Sequence, residues 1–395
     1  MERAELVELL TPEGLRLVDE VAETDAGSDV VATVSRLRAA GHSPTLVATA
    51  LTQGRLRIKA RAKFGDFASR MLFTEAGLEQ ATRLRVAALH AGRFHSAGIG
   101  RVADLGCGIG GDAMAFAALG LDVTAVDVDE VTATVASYNL APFESARVEH
   151  ASATDVDLDG FDGLYFDPAR RTAGHRNTSR LTDPSDYTPS LDFVFESAAS
   201  RPTGVKLGPG FDRSQIPDDA EAQWVSADGQ VVELGLWFGA VARDGIRRSA
   251  LVLDADGSHE LHAVADSDDV DTVELGEYLW EPDGAIIRAR LIGDVARSLG
   301  AGMLSDGIAY LTGNDAGSSP FAAGFRVIER FPLDERTLKK ELRGRGIGTL
   351  EVKKRGADID PAAFRTRMSL KGPNSATLFL TRVAGRHAAL LCERV

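Results

Sequence analysis

The stretch Arg101-Val102-Ala103-Asp104-Leu105-Gly106-Cys107-Gly108-Ile109-Gly110-Gly111-Asp112 constrains the fold more than any other part of this 395-residue chain. Val102 to Leu105 reads as a short buried strand, alternate glycines follow, and Ala113 to Leu119 is an alanine-rich helical run. A strand that turns through glycine into a helix points bare backbone N–H groups and the positive end of the helix dipole at a ligand. Glycine belongs there because it has no Cβ and tolerates positive φ, so a ligand can lie directly on the chain. The stretch predicts a cofactor site.

The pattern then repeats. Asp122 to Asp127 reads as a second strand, Glu130 to Leu140 as a helix, and Arg147 to His150 as a third strand. Gly163 to Phe166 is a fourth strand, ending at Asp167-Pro168. Leu191 to Ser200 is helical, Gly204 to Leu207 is a fifth strand, and Val231 to Phe238 with Arg248 to Asp254 reads as a closing antiparallel pair. Repeated βα units make an α/β fold, a parallel sheet with helices on both faces and ligands at the carboxyl ends of its strands. Tyr165 and Phe166 read as core, and Glu149 and His150 as structural.

Residues 1–95 carry helix signals and no strand pattern. Thr11-Pro12-Glu13 and Ser43-Pro44 each place a hydroxyl N-cap before a proline at the first helical position. Asp29 to Ala40 has apolar residues at helical spacing and stops at Gly41, and Thr74-Glu75 opens a helix expected to carry Leu78, Ala81, Thr82 and Val86. The expected domains are therefore a helical one over 1–95, a Rossmann-like one over 96–254, a connecting segment over 255–330 and a small α/β module over 331–395. In the connecting segment Asp266 to Asp271 is an acidic loop and Ala285 to Leu299 reads as helix. The module reads as helix (Glu335 to Arg343), strand (Gly348 to Lys353), helix (Pro361 to Met368) and two strands (Ala376 to Arg382, His387 to Cys392).

The net charge of −14 argues at first against a polyanionic partner, but it is unevenly spread. From Phe331 to Val395 fourteen Lys and Arg face seven Asp and Glu, while the rest of the chain carries 30 against 51. A basic tail on an acidic body fits a polyanion-binding module, with a solvated basic face as the equal alternative. Arg170, Arg171, His175, Arg176 and Arg180 form a second basic cluster after the fourth strand, suited either to phosphates or to the domain's own carboxylates. The two cysteines, Cys107 and Cys392, make no disulfide framework and no metal-ligand spacing, and Cys107 reads as a small packing residue in the glycine turn. No signal peptide or membrane-spanning run is evident, so the cytoplasm is the expected location.

The glycines fit two cofactor patterns. Gly106, Gly108 and Gly111 match a dinucleotide fingerprint with Asp127 as the ribose-binding acid, which keeps a nicotinamide enzyme open. Asp104 tilts the balance, since a carboxylate before the first glycine repels a pyrophosphate and suits a ligand bearing an ammonium and a sulfonium. Asp104-Leu105-Gly106-Cys107-Gly108-Ile109-Gly110 resembles the E/D-x-G-x-G-x-G motif of class I S-adenosylmethionine-dependent methyltransferases. The resemblance extends through Val126-Asp127-Val128-Asp129, Asn139 and Asp167-Pro168-Ala169-Arg170, over roughly residues 70–254. Leu72-Phe73-Thr74-Glu75-Ala76-Gly77-Leu78-Glu79-Gln80-Ala81-Thr82 and Ile347-Gly348-Thr349-Leu350-Glu351-Val352-Lys353-Lys354-Arg355-Gly356 resemble a bacterial subgroup that ends in a THUMP-like module.

The resemblance implies a Rossmann-like methyltransferase sheet with S-adenosyl-L-methionine as cofactor. Asp104, Gly106, Cys107, Gly108 and Gly110 would hold its amino-acid end, with Phe73 and Thr74 nearby. Asp127 would accept from both ribose hydroxyls, with helix capping as its alternative role. Val128 joins the cofactor-binding residues, and Ser152, with Asp155 nearby, stands where the family often has an acid that contacts the adenine amine. Asp167, Pro168 and Arg170 would form the catalytic, acceptor side, because enzymes that methylate exocyclic amines carry D/N-P-P-Y/F/W there. Here the second proline and the aromatic residue are replaced by Ala169 and Arg170. The expected substrate is a base in RNA, contacted by Arg170, Arg171, Arg176, Arg180, Lys353, Lys354 and Arg355. A small-molecule or protein acceptor and a non-catalytic binding protein stay open as alternatives.

Overall fold

A computed structural model describes residues 1–24, 30–170 and 186–395. Two compact units emerge, Met1–Leu207 with Leu236–Ala242, and Gly208–Gly235 with Arg243–Val395.

The first unit opens with helices α1 (Arg3–Leu9), α2 (Pro12–Thr24), α3 (Val30–Ala39), α4 (Pro44–Phe64), α5 (Glu75–Gln80) and α6 (Leu84–Ser96). Thr11 Oγ1 accepts from Gly14 N at 3.1 Å and Ser43 Oγ from Leu46 N at 3.0 Å, so both expected N-caps form. The helix expected to run from Thr74 through Val86 is instead broken. Residues 81–83 turn between α5 and α6, and the Lys63 ammonium donates to the carbonyls of Leu78, Glu79 and Ala81 at 2.9, 2.7 and 2.7 Å. One cation satisfies three carbonyls that a continuous helix would have used.

The alternating part follows with β1 (Arg101–Leu105), α7 (Gly111–Ala118), β2 (Asp122–Asp127), α8 (Glu130–Leu140), β3 (Ala146–His150), β4 (Gly163–Phe166), the short antiparallel pair β5 (Ala169–Arg170) and β6 (Tyr187–Thr188), α9 (Leu191–Ala198) and β7 (Thr203–Leu207). Strand order β7-β4-β1-β2-β3 is parallel throughout. Every residue of β4 is buried, as a central strand covered on both faces requires. Tyr165 of β4 packs edge to face on Phe116, and Phe116 on Phe94, with centroids 5.4 and 5.0 Å apart.

The second unit contains β8 (Glu221–Ala227), most of β9 (Gln230–Phe238), β10 (Arg248–Leu253), β11 (Ser258–Ala263), β12 (Tyr278–Pro282), α10 (Gly284–Ala289), α11 (Ile292–Leu299), β13 (Gly302–Ser305), β14 (Ile308–Gly313), β15 (Ala322–Phe331), α12 (Glu335–Gly344), β16 (Ile347–Lys354), α13 (Pro361–Met368), β17 (Asn374–Val383) and β18 (Arg386–Arg394). The expected pairing of β9 with β10 is corrected. β8 lies next to β9 through the tight turn Asp228-Gly229, and β10 runs parallel to β8 and antiparallel to β11. The run Glu221-Ala222-Gln223-Trp224-Val225 carries polar residues that hide it as a strand. Its Glu221, fully buried, and Glu260 of β11 both bind Arg243 (Nη2 to Glu221 Oε1, 2.5 Å; Nη1 to Glu260 Oε2, 2.7 Å).

The C-terminal elements appear in the expected order, yet their sheet draws on strands before Phe331. Its order is β13-β14-β12-β15-β18-β17-β16. Period-two alternation in β17 sends Leu378 and Leu380 toward Leu338, Leu342, Phe364 and Met368, and Phe379 toward Tyr310 and Phe325 on the other face.

Candidate active site at the carboxyl ends of the parallel strands

Four strand ends, those of β1, β2, β4 and β7, bring Asp104, the glycine loop, Asp127, Asp167 and Lys206 together in the first unit. Gly106 has φ +92°, and a Cβ there would stand 2.7 Å from the carbonyl oxygen of Asp167. Only a residue without a side chain lets the end of β4 lie against the loop. Gly108 N donates to Asp127 Oδ2 at 3.0 Å and Asp129 N to Oδ1 at 2.9 Å, so Asp127 braces the loop from β2. Burial pushes the Asp127 carboxyl up from its ordinary range, against these two N–H groups.

Asp104 is the anomaly. It is 1% exposed, and neither carboxylate oxygen has a hydrogen-bond partner among the described residues. Burial first, then the carboxylates of Asp112 and Asp167, push its pKa well above the ordinary carboxylate range. A buried carboxylate without a partner is costly unless a cation completes it. Asp112, equally buried, shows the contrast. Burial raises its pKa too, but hydrogen bonds and charge from His90, with Lys206 and Thr82, outweigh this and hold it below the ordinary range. The Asp112 oxygens meet His90 Nδ1 at 2.8 Å and Thr82 Oγ1 at 2.6 Å.

The Asp167 side of the site is ion-paired. The Lys206 ammonium binds Asp167 Oδ2 and donates to Thr82 Oγ1 at 2.9 Å. A continuous polar chain therefore runs Asp167–Lys206–Thr82–Asp112–His90, with the Tyr165 hydroxyl 2.9 Å from His90 Nδ1. Lys206, at the end of the fifth strand, has a sequence position compatible either with lining this pocket or with snorkelling from the strand end, and the structure pairs it with Asp167. Thr82, His90 and Asp112 were not expected there, because Thr82 sits in a helical pattern that breaks and His90 is a lone histidine on α6. Asp112 alone carried a signal, as the acid directly after the glycine run.

Backbone around Phe73 forms a strap clamped by side chains. Gln53 exchanges two hydrogen bonds with Phe73 (2.7 and 3.0 Å), Arg57 Nε donates to Met71 O at 2.9 Å, and Asn139 bonds Leu72 N and O at 2.8 and 3.0 Å. Asn139 also donates to Ile109 O at 2.9 Å, tying the strap to the glycine loop. Phe73 itself is buried, and Thr74 Oγ1 caps α5 through Gly77 N at 2.9 Å. Val128 is 60% exposed beside Asp127. Ser152 Oγ is engaged locally with Thr154 Oγ1 at 2.8 Å. Burial, Asp104 and Asp127 push the Cys107 thiol well up, so it is no nucleophile. Pro168 is buried, while Arg170 donates through Nε to the Tyr187 hydroxyl at 2.9 Å. Arg171, His175, Arg176 and Arg180 lie outside the described residues.

Away from this site, in the second unit, Lys353 and Arg355 both bind Glu281 and, with Arg394, line a cavity of about 950 Å³. Lys354 alternates to the other face and is exposed. Among the described residues no helix is long and apolar enough to cross a membrane.

The residues present fit S-adenosylmethionine. The orphaned Asp104 carboxylate calls for a cationic group, and the open backbone of the glycine loop leaves room beside it. A THUMP domain-like family model matches residues 322–394, and a domain family of unknown function matches residues 2–60. A protein of Porphyromonas gingivalis solved as a methyltransferase shares the fold, with a TM-score of 0.70 at 21% identity, covering 95% of this chain and 97% of that one. Uncharacterized S-adenosylmethionine-dependent methyltransferases from two strains of Mycobacterium tuberculosis are 33% identical over 366 residues, covering 88% of this chain and 95% of theirs. The chain belongs to the S-adenosylmethionine-dependent methyltransferases, in the class I group that ends in a THUMP-like domain.

Proposed function

We propose that this methyltransferase modifies a base in RNA and that its acceptor is an exocyclic amine held by Asp167. The observation that carries the reading is the approach of the Asp167 backbone carbonyl to Gly106, which sets the end of β4 against the glycine loop, with the Asp167 carboxylate held by Lys206. Asp104 would hold the ammonium of the cofactor, Gly106, Cys107, Gly108 and Gly110 its amino-acid end, and Asp127 its ribose. Phe73, Thr74, Val128 and Ser152 complete the cofactor-binding set proposed here. The bound cofactor supplies an electrophilic methyl on a sulfonium. Asp167 would accept a hydrogen bond from the amine, aim its lone pair, and receive the proton released as the N–C bond forms and the methyl–sulfur bond breaks, the sulfur leaving as a neutral thioether. Lys206 keeps that carboxylate in place. Such a displacement depends mainly on alignment. Pro168 stiffens the turn, and the Arg170 plane can stack on a base or bind a phosphate.

The RNA part of the reading is supported by the THUMP-like match and by the basic groups Lys353, Arg355 and Arg394 around one cavity. Arg171, Arg176, Arg180 and Lys354 are proposed as further phosphate contacts. Two measurements test the proposal. Methyl label followed into RNA, protein and small molecules from cells lacking the protein should enter RNA, and label confined to protein or metabolites overturns it. Asp167→Ala should abolish transfer while cofactor affinity holds, and normal turnover removes Asp167 from the acceptor role.

A further inference from the structure

The second unit gathers three arginines on one carboxylate. Arg213 follows the N-capping Asp212, Arg248 opens β10, and Arg290 caps α10. Arg213 Nη2 donates to Asp266 Oδ1 at 2.7 Å and Arg248 Nε to the same oxygen at 2.9 Å, while Arg290 Nε lies 3.6 Å from Oδ2. Asp266 belongs to the acidic loop noted in the sequence, yet it is the only one of that loop's four aspartates ion-paired with these arginines. Three cations on one anion leave a local surplus of positive charge. The surplus is felt inside the cluster, where burial first, and then Arg248 and Arg290, lower the Arg213 pKa against the pull of Asp266.

The three arginines are not equally embedded. The Arg213 guanidinium lies 5.6 Å over the ring of the buried Trp224, and its Nε is buried without a partner. Arg248 is 22% exposed in its side chain and also donates to Arg247 O at 2.9 Å. Arg290 is 61% exposed, has the longest contact with Asp266, and sits at φ +61°. That is the position at a helix end where glycine is favoured and other residues are strained. A strained, solvent-facing arginine on a pre-oriented guanidinium cluster is poorly explained by stability.

We propose that Arg213, Arg248 and Arg290, aligned by Asp266, form a phosphate-binding site that takes a phosphodiester of the RNA backbone. The proposal rests on the RNA reading above and deepens it. Arg213 and Arg248 are fixed by Asp266 and Trp224, and Arg290 supplies the outward N–H groups. Guanidinium groups match phosphate oxygens in pairs, and such contacts position a nucleic acid without reading its sequence.

Arg290→Gly separates this role from folding, because glycine relieves the positive φ. The variant should melt at the wild-type temperature or above and bind S-adenosylmethionine unchanged. Its affinity for total cellular RNA in low salt should fall roughly tenfold, and its salt slope by about 0.7–0.9, the loss of one phosphate contact. Wild-type RNA affinity and slope in the variant overturn the site and leave the RNA reading standing. Absence of RNA binding by the wild-type protein overturns both. Inorganic phosphate that raises the wild-type melting temperature but not the variant's, with RNA affinity equal in the two, shows a site for free phosphate and overturns the backbone assignment.

Discussion

Asp104 pits function against stability within one side chain. Its carboxyl, raised by burial and neighbouring acids, binds a proton more tightly in the folded than in the unfolded chain, so it favours folding increasingly as pH falls through its folded value. At neutral pH in the cofactor-free protein it therefore costs stability. Asp104→Asn should raise the melting temperature of the free protein near pH 7 while cofactor binding is lost in calorimetric titration. A variant that is less stable and still binds would contradict the assignment. Cofactor affinity in the wild type should weaken as pH falls toward that raised value, since protonation removes the partner of the ammonium. Asp127 acts differently, as it braces the loop through Gly108. Asp127→Ala should weaken cofactor binding by roughly 1–3 kcal/mol, and unchanged affinity would remove it from the site. Gly106 was legible from the start, but the reason for it, the approach of Asp167 O, was not. No local pattern reports a contact between residues sixty positions apart.

Elements were legible where hydrophobic period and caps agreed. The strands β1, β2 and β4 and the helices α12 and α13 fall within a few residues of their expected spans. The break between α5 and α6 was not legible, because apolar spacing continues across residues 81–83 and the group that ends α5 is Lys63, on another helix. Nor was β8, whose buried Glu221 is met by Arg243 from beyond the end of β9. That ion pair carries a prediction. Arg243→Met strips the guanidinium from the buried Glu221 and should destabilise the second unit by about 3–5 kcal/mol in denaturant unfolding. Glu260 on the same arginine is held at about 2 by hydrogen bonds from Arg243, Ser249 and Gln223 that overcome its burial. Its contribution is present above the ordinary glutamate value near 4.5 and lost as pH falls toward 2, so Glu260→Gln should flatten acid unfolding over that window.

At the scale of the whole molecule, the parallel sheet and the glycine loop at its edge were readable because one strand, three glycines and two aspartates carry them. The C-terminal module was readable in its elements but not in its sheet, since β12 to β15, which precede the tail's own helices and strands, supply four of its seven strands. Removal of the tail after Arg330 would thus strip β18 from β15 and unfold the sheet, so single charge substitutions are the proper probe of RNA binding. The polar chain from Asp167 through Lys206 to His90 joins residues from five elements or turns, which only the folded chain assembles. Together with Asp104 it leads to the central claim, an amine nucleophile held by a carboxylate beside a sulfonium-binding loop. Nucleoside mass spectrometry of RNA methylated by this enzyme tests that claim most directly. The account predicts a base carrying one added methyl on an exocyclic nitrogen, absent with Asp167→Ala. A methyl on a ribose oxygen or a ring carbon would contradict it.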